Sequence, residues 1–299
     1  MARKSIRRSR SDGVLQFITN LLLVLVLILV AYPVIYVIAC SFSGTNALMG
    51  GRVILWPVEF STKGYEFVLQ YKQVWVGYRN SIFYTALGVT ITMLLNILSA
   101  YPLSRPELRG RKGSLIFFYI TTLVSAGMIP TFIIKTKLGL FDTFWAVVLA
   151  GALGVQHVII LKTAFSQTVP SELYDAAAID GANHWQILCS IALPLTKSTL
   201  AVLALYSAVG CWNEYFNSMI YLRNEDLYPL QLFLRNILTA AESIDTNGIS
   251  SSAMLQQAAE GTKQVQYALI VVSTVPLVAL YFLAQKSFKK GIMVGSIKG

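Results

Sequence analysis

Hydrophobic positions in this chain fall into long uninterrupted blocks, and charged residues mark the boundaries between them. Six stretches, 13–51, 80–104, 113–134, 143–161, 198–222 and 264–285, carry no Asp, Glu, Lys or Arg apart from Glu214. A helix that crosses a bilayer needs about 20 predominantly apolar residues. The blocks therefore predict six transmembrane helices, over 15–40, 80–103, 113–134, 143–163, 197–221 and 264–285. Strands of a membrane barrel would alternate polar and apolar residues at every second position, and these blocks do not. Helices buried in a large soluble core rarely sustain so many long uncharged runs. The expected fold is an all-α integral membrane protein, with Pro33 kinking the first span and Pro130 near the outer end of the third.

Composition agrees with this pattern. Of 299 residues, 55% are hydrophobic and 13% are charged, against about a quarter charged in soluble domains. That excludes an ordinary cytosolic enzyme and excludes intrinsic disorder. The formal charge of +10 has two readings, nucleic-acid binding or membrane topology. With the N-terminus inside, fifteen of the 24 basic residues fall on inner segments, including Arg3, Lys4, Arg7, Arg8, Arg10, Arg105, Arg109, Arg111 and Lys112. This positive-inside bias places both termini in the cytoplasm. No basic patch interleaved with aromatics supports a nucleic-acid surface. The chain divides into a basic N-tail (1–13), a six-span domain (14–285) and a cytoplasmic C-tail (286–299). Cys40, Cys189 and Cys211 are widely spaced and form neither a disulfide framework nor a zinc pattern.

The longest inner segment lies between spans four and five. It reads Pro170-Ser171-Glu172-Leu173-Tyr174-Asp175-Ala176-Ala177-Ala178-Ile179-Asp180-Gly181-Ala182. Ser171 is a candidate N-cap, and Glu172 sits in the first turn, where the helix dipole favours a negative charge. Leu173, Ala176, Ala177 and Asp180 share one face, small enough for another surface to approach closely. Gly181 can take the left-handed conformation that ends a helix. A second helical stretch is expected from Asn183 to about Leu193, ahead of Pro194. On these residues alone, a docking element and an ordinary loop helix both remain open.

The run from Glu172 to Leu195 resembles the EAA coupling motif of ABC-importer permeases of the maltose type. The resemblance rests on Asp175-Ala176-Ala177-Ala178-Ile179-Asp180-Gly181-Ala182, then Trp185, then Leu193-Pro194-Leu195. Asp175 stands where glutamate is usual. Further matching stretches are Asn80-Ser81, Ala100 to Arg105, Trp212-Asn213-Glu214, Tyr228-Pro229-Leu230-Gln231 and the tail from Lys290-Gly291 to Lys298-Gly299. The last three are most similar to the subgroup linked to aldouronates and other complex oligosaccharides.

The resemblance implies a permease subunit of a bacterial cytoplasmic (inner) membrane importer, a multi-pass protein that imports oligosaccharides, uronide-containing ones among them. It implies a heterodimer with a second homologous permease, two ATP-binding subunits beneath it and an extracytoplasmic solute-binding protein. Segment 170–195 then carries the coupling helix, with Glu172, Asp175, Ala176, Ala177, Asp180, Gly181 and Ala182 as ATPase-coupling residues. Gly291, Gly295 and Lys298 correspond to a tail that contacts the ATPases, against the alternative of a frayed basic end. The chain has no Gly-Lys dipeptide and hence no Walker A loop. No cofactor is expected on this chain; ATP and Mg²⁺ belong to the partner subunits, and no enzyme activity is expected here.

The translocation path is less sharply marked. Glu214 is the lone carboxylate inside a span, where burial costs about 2.5–3.5 kcal/mol on insertion scales. Trp212, Asn213, Tyr215 and Asn217 surround it, with Asn213 and Asn217 four apart as on one helix face. Aromatics and amides suit a sugar, and interhelical packing explains them equally. Lys135 and Lys137 are the basic residues placed to face an anionic cargo. The outer loop 239–261 either reaches the binding protein or is a solvated connector. The rival class is an ion-coupled secondary transporter of a polar solute, for which Glu214 is the sole qualifying carboxylate. His157 and His184 complete no metal or nucleophile motif.

Overall fold

The structure, a computed structural model, describes residues 10–124, 126–247 and 263–295. Among the described residues the chain is helical throughout; the one strand-like feature is an isolated antiparallel bridge between Ser43 and Phe60. It divides into two compact units, residues up to 70 with 237–272, and residues 71–236 with those from 273.

The first unit holds α1 (Arg10–Ser41), α2 (Thr45–Met49) and α3 (Lys63–Gln70), with the start of the last helix, α15 (Lys263–Gly295). Helix α1 continues through Pro33, and Gly13 to Val30 are all exposed within the chain. Its C-terminal end is buried: Ala39, Cys40, Ala47 and Val53 form a small core closed by Tyr36 and Tyr267. Gln264, 1% exposed, donates through Nε2 to the carbonyls of Ser61 at 2.6 Å and Ser41 at 3.3 Å. An amide that satisfies two loop carbonyls removes the penalty that unpaired backbone incurs away from water.

The second unit is built on α4 (Lys72–Ser104), which packs against α8 (Val155–Thr168) and α12 (Lys197–Trp212). One face of α4 is a stripe of small and polar residues: Gly77, Ser81, Thr85, Gly88, Thr92, Asn96 and Ala100 are buried. Small residues let helices approach closely where lipid supplies no hydrophobic drive between them. At Gly77 a β-carbon would lie 3.0 Å from the Cα of Leu230, and at Gly88 3.0 Å from the Sγ of Cys211. The same face anchors the loop that precedes α14 (Leu230–Asn247). Asn80 donates to the carbonyls of Asp226 (2.7 Å) and Tyr228 (3.1 Å), Tyr84 donates to that of Leu227 (2.9 Å), and Leu230 N–H donates to Ser81 (2.9 Å). Two stretches matched separately in the sequence, 80–81 and 228–231, are thus one clamp.

Among the described residues, three helices are long and apolar enough to cross a membrane: Gly13–Ser41, Lys72–Ser104 and Lys263–Phe282. They match the first, second and sixth predicted spans. None of the other three predicted spans is one unbroken helix. The third is α5 (Arg111–Leu123) and α6 (Met128–Lys137), bent by 112°, with Gly127 at φ +78°. The fourth is a short α7 (Trp145–Val148) followed by α8, with Gly151 at φ +77° in the connection. The fifth, α12, ends at Trp212 and resumes as α13 (Phe216–Tyr221). Left-handed glycines end helices without steric cost, and a count of uncharged residues is blind to them.

Candidate coupling surface and membrane cavity

Segment 170–195 forms two short helices around a sharp corner. The first, α9, spans Ser171–Ile179. The N-cap position belongs to Pro170, at φ −58° and ψ 145°, and not to Ser171, which is the first helical residue; no side chain caps this end. Proline's fixed φ suits the extended entry to a helix, so the turn starts one residue earlier than a serine cap would set it. The C-terminal end follows the expectation closely. Gly181 sits at φ +78°, its N–H donates to Ala178 O at 3.1 Å, and Ala182 N–H donates to Ala177 O at 2.9 Å. These are the two bonds of a Schellman motif. A capping box then starts α10 (His184–Ile187): Gln186 N–H donates to Asn183 Oδ1 at 2.9 Å, and Asn183 N–H donates to Gln186 Oε1 at 2.8 Å. A π-turn, Leu188–Ala192, and α11 (Leu193–Leu195) carry the chain to a bend of 82° ahead of α12.

The two faces of α9 differ from the sequence expectation. Tyr174 and Ala177 are buried, packed into a core with Tyr101, Leu103, Val158 and Phe165. Ala177 therefore serves the chain's own interior, a correction to its place on the docking face. The exposed face carries Glu172, Asp175, Ala176 and Ile179 at spacings of three and four, flanked by Leu173 and Asp180. Ile179, 87% exposed, was missed because it lies among small residues that give no hydrophobic asymmetry. A β-carbon at Gly181 would meet nothing within 4 Å in this chain, so its backbone conformation alone demands glycine here. Across the buried face, the Arg105 guanidinium lies 3.6 Å from the centre of the Tyr174 ring. Burial pushes the Tyr174 hydroxyl above its ordinary range, and Arg105 partly opposes that shift.

The second site is a cavity of about 260 Å³ between α4, α8 and α12. Thr92, Gly154, His157, Ser207 and Glu214 are among its lining residues. His157 Nδ1 and Ser207 Oγ are buried without a hydrogen-bond partner. Glu214 sits in the break between α12 and α13, where its Oε1 accepts the Asn217 N–H at 2.7 Å. It acts as a cap for α13. Asn213 and Asn217 do not share a helix face, because the helix is interrupted between them. Trp212 is 2% exposed and donates its indole N–H to Ser273 O at 3.1 Å, which is packing rather than a sugar platform. Tyr215 is exposed. Lys135 turns inward: its Nζ is 3.5 Å from Asn217 Oδ1 and 4.2 Å from the Tyr221 ring centre. Lys137 is exposed at the end of α6. The predicted tail residues Gly291 and Gly295 continue α15; Lys298, most of loop 239–261 and Arg3 to Arg8 lie outside the described residues.

A helical chain with apolar spans, a broken helix beside a polar cavity, and a glycine-cornered helix pair between two spans defines a membrane transport subunit. The comparisons with known proteins agree. The chain belongs to the family described as binding-protein-dependent transport system inner membrane component, whose profile matches residues 1–294. It is 36% identical over 267 residues to the polygalacturonan/rhamnogalacturonan transport system permease protein YtcP of Bacillus subtilis (strain 168), covering 89% of this chain and 92% of that one. A chain of a bacterial ABC transporter that imports the acidic polysaccharide alginate superimposes with a TM-score of 0.84 at 32% identity, covering 95% of this chain and all of that one. A second alginate transporter chain, from a complex with a periplasmic protein bound to alginate pentasaccharide, shares the fold at TM-score 0.58 and 15% identity, over 92% of this chain and 93% of that one. The protein is thus a membrane permease subunit of an ABC importer, and ATP hydrolysis in such importers lies in separate nucleotide-binding subunits. This replaces the ion-coupled alternative, whose one candidate carboxylate is engaged in capping a helix.

Proposed function

We propose that this chain forms one half of the transmembrane path of a bacterial cytoplasmic-membrane importer for acidic, uronate-containing oligosaccharides. The observation that carries the reading is the 32% identity and TM-score of 0.84, over 95% of the chain, to a subunit of an importer of an acidic polysaccharide. The name of the pectin-type permease relative points to the same substrate chemistry. Within the chain, the inward-turned Lys135 beside Asn217 offers a cationic group near the broken helix.

The chain crosses the membrane six times with both termini in the cytoplasm, over the six-span domain 14–285 between tails 1–13 and 286–299. Support comes from the three long helices at spans one, two and six, from the bent pair α5 and α6 at span three, and from the lysine and arginine bias. A second permease, two ATPase subunits that hold ATP and Mg²⁺, and an external binding protein complete the machine. The exposed face of α9 (Glu172, Asp175, Ala176 and Ile179, with Asp180, Gly181 and Ala182 at the corner) docks on an ATPase, and the C-tail residues Gly291, Gly295 and Lys298 contact the same subunits. The outer segment 239–261 reaches the binding protein. Nucleotide-driven closure then rocks the spans around the cavity at the Glu214 break, as alternating access requires.

The test is uptake in proteoliposomes containing the chain and its partners. Oligogalacturonate should enter only with ATP inside and the binding protein outside, vanadate should stop it, and neutral maltotriose should not compete. Uptake driven by an ion gradient without ATP would sink the proposal, and equal competition by maltotriose would remove its acidic specificity.

A further inference from the structure

A second hollow, of about 440 Å³, lies at the foot of α4. Its walls combine two chemistries. Leu98, Leu108, Leu188 and the 62% exposed indole of Trp185 make an apolar side, and Arg105 and Arg109 make a basic rim. Tyr101, 6% exposed, also lines it, and its hydroxyl is buried without a hydrogen-bond partner. The one acid present, Glu107, lies 3.4 Å from the Nε and 3.5 Å from an Nη of Arg105, with its side chain 67% exposed. Arg109 is exposed and makes no ion pair among the described residues.

We propose that this hollow binds an anionic phospholipid of the cytoplasmic leaflet, with the phosphate on Arg105 and Arg109 and an acyl chain along Leu98, Leu188 and Trp185. The placement rests on the topology proposed above, which puts the loop 105–112 on the inner side. Charge complementarity and continuity select the occupant. A free anion would leave the apolar wall unused, and a zwitterionic lipid would bring no net charge to two guanidinium groups. The apolar wall continues from the uncharged stretch of α4 into the rim, so the hollow sits where acyl chains meet headgroups. An indole at such a boundary has one apolar and one wet side.

The site has a mechanical consequence. Arg105 at its rim is the residue stacked at 3.6 Å on Tyr174 of α9. A phosphate that fixes Arg105 fixes the buried side of the coupling helix, so coupling becomes sensitive to leaflet composition.

The test reads binding on the purified importer complex, without transport, so its outcome is separate from that of the transport proposal. The complex is delipidated, mixed with equal amounts of phosphatidylglycerol and phosphatidylcholine, and the retained lipid is counted by native mass spectrometry. Phosphatidylglycerol should be retained in preference, and Arg109→Gln should weaken that retention about five-fold, the effect of one basic side chain at an anionic surface. Trp185→Ala, at another exposed position, should weaken it too. Lys112→Gln, close by in the first turn of α5 but outside the hollow, should retain the wild-type amount. Equal retention of both lipids, an equal loss in Lys112→Gln, or displacement by inorganic phosphate would each overturn the proposal, the last by marking a site for soluble anions.

Discussion

The guanidinium of Arg105, just past the end of α4, stacks on the ring of Tyr174, on the buried side of α9. This contact joins the longest helix of the second unit to the segment proposed to dock on the ATPase. Cation–π pairs contribute about 0.5–2 kcal/mol according to how far they are desolvated. Tyr174→Phe keeps the ring and removes a buried hydroxyl that has no hydrogen-bond partner, so its thermal midpoint should equal or exceed wild type. Tyr174→Leu should lower it. In double-mutant cycles with Arg105→Met, measured on the detergent-solubilised complex, the Tyr174→Leu cycle should return the coupling energy of the pair and the Tyr174→Phe cycle close to none, because phenylalanine keeps the ring.

Gly181 holds φ +78° with open space around its missing β-carbon. Asparagine visits that conformation far more readily than other side chains. Gly181→Asn should therefore keep most uptake, Gly181→Val should lose nearly all of it, and Gly181→Arg should abolish it with the protein still in the membrane. Immunoblots of membrane fractions beside radiolabelled uptake check this. Normal uptake by Gly181→Arg would remove the docking role.

Ile179 and Ala177 lie on opposite sides of α9, one exposed and one buried. Ile179→Asp should abolish uptake and uncouple ATP hydrolysis from the binding protein without changing the thermal midpoint. Ala177→Leu overpacks a core, at a cost of about 1–3 kcal/mol, and should lower the midpoint first. If both variants melt early, Ile179 is part of the fold and not of the interface.

Asp142 accepts the N–H groups of Arg223 and Asn224 at 2.8 and 2.9 Å, and these bonds hold its carboxyl below the ordinary carboxylate range. A depressed folded-state pKa contributes stability above the unfolded value, and that contribution is lost as pH falls through the folded one. The protection factors of the Arg223 and Asn224 amides, that is their exchange rates corrected for the intrinsic pH dependence, should therefore be high near neutrality and fall in acid. In Asp142→Asn, protection should be weaker at neutral pH and flat across the acid range. An unchanged acid profile in the variant would show that another group controls the loop.

Lys135 offers a test of cargo charge. Lys135→Met should raise the KM for oligogalacturonate by about ten-fold, the scale of one partly desolvated charge contact, and leave ATPase stimulation by the binding protein intact. An unchanged KM would place Lys135 among packing residues with Trp212.

The apolar blocks and the glycine corner were legible in the sequence because each depends on local chemistry. Uncharged runs mark α1, α4 and α15, and Gly181 followed by Asn183 specifies its own two caps. The breaks were not legible, because charge spacing carries no information on backbone direction, although Gly127 and Gly151 were present as signals. The orientation of α9 failed for a related reason: alanines on both sides leave the wheel nearly uniform, and only the burial of Tyr174 decides which side faces inward. The role of Trp212 depends on a partner 61 residues away, which no local pattern reveals.

The exposed length of α1, from Gly13 to Val30, has a consequence for how the protein changes over time. Among the described residues no side chain packs on that stretch to select among leucine, valine and isoleucine, so what is selected there is an apolar surround. Substitutions within that stretch should accumulate freely as long as the composition stays apolar, while the stripe on α4 records nearly every change as a clash. Two helices of nearly equal length thus carry very different amounts of information: one specifies a solvent, the other a shape.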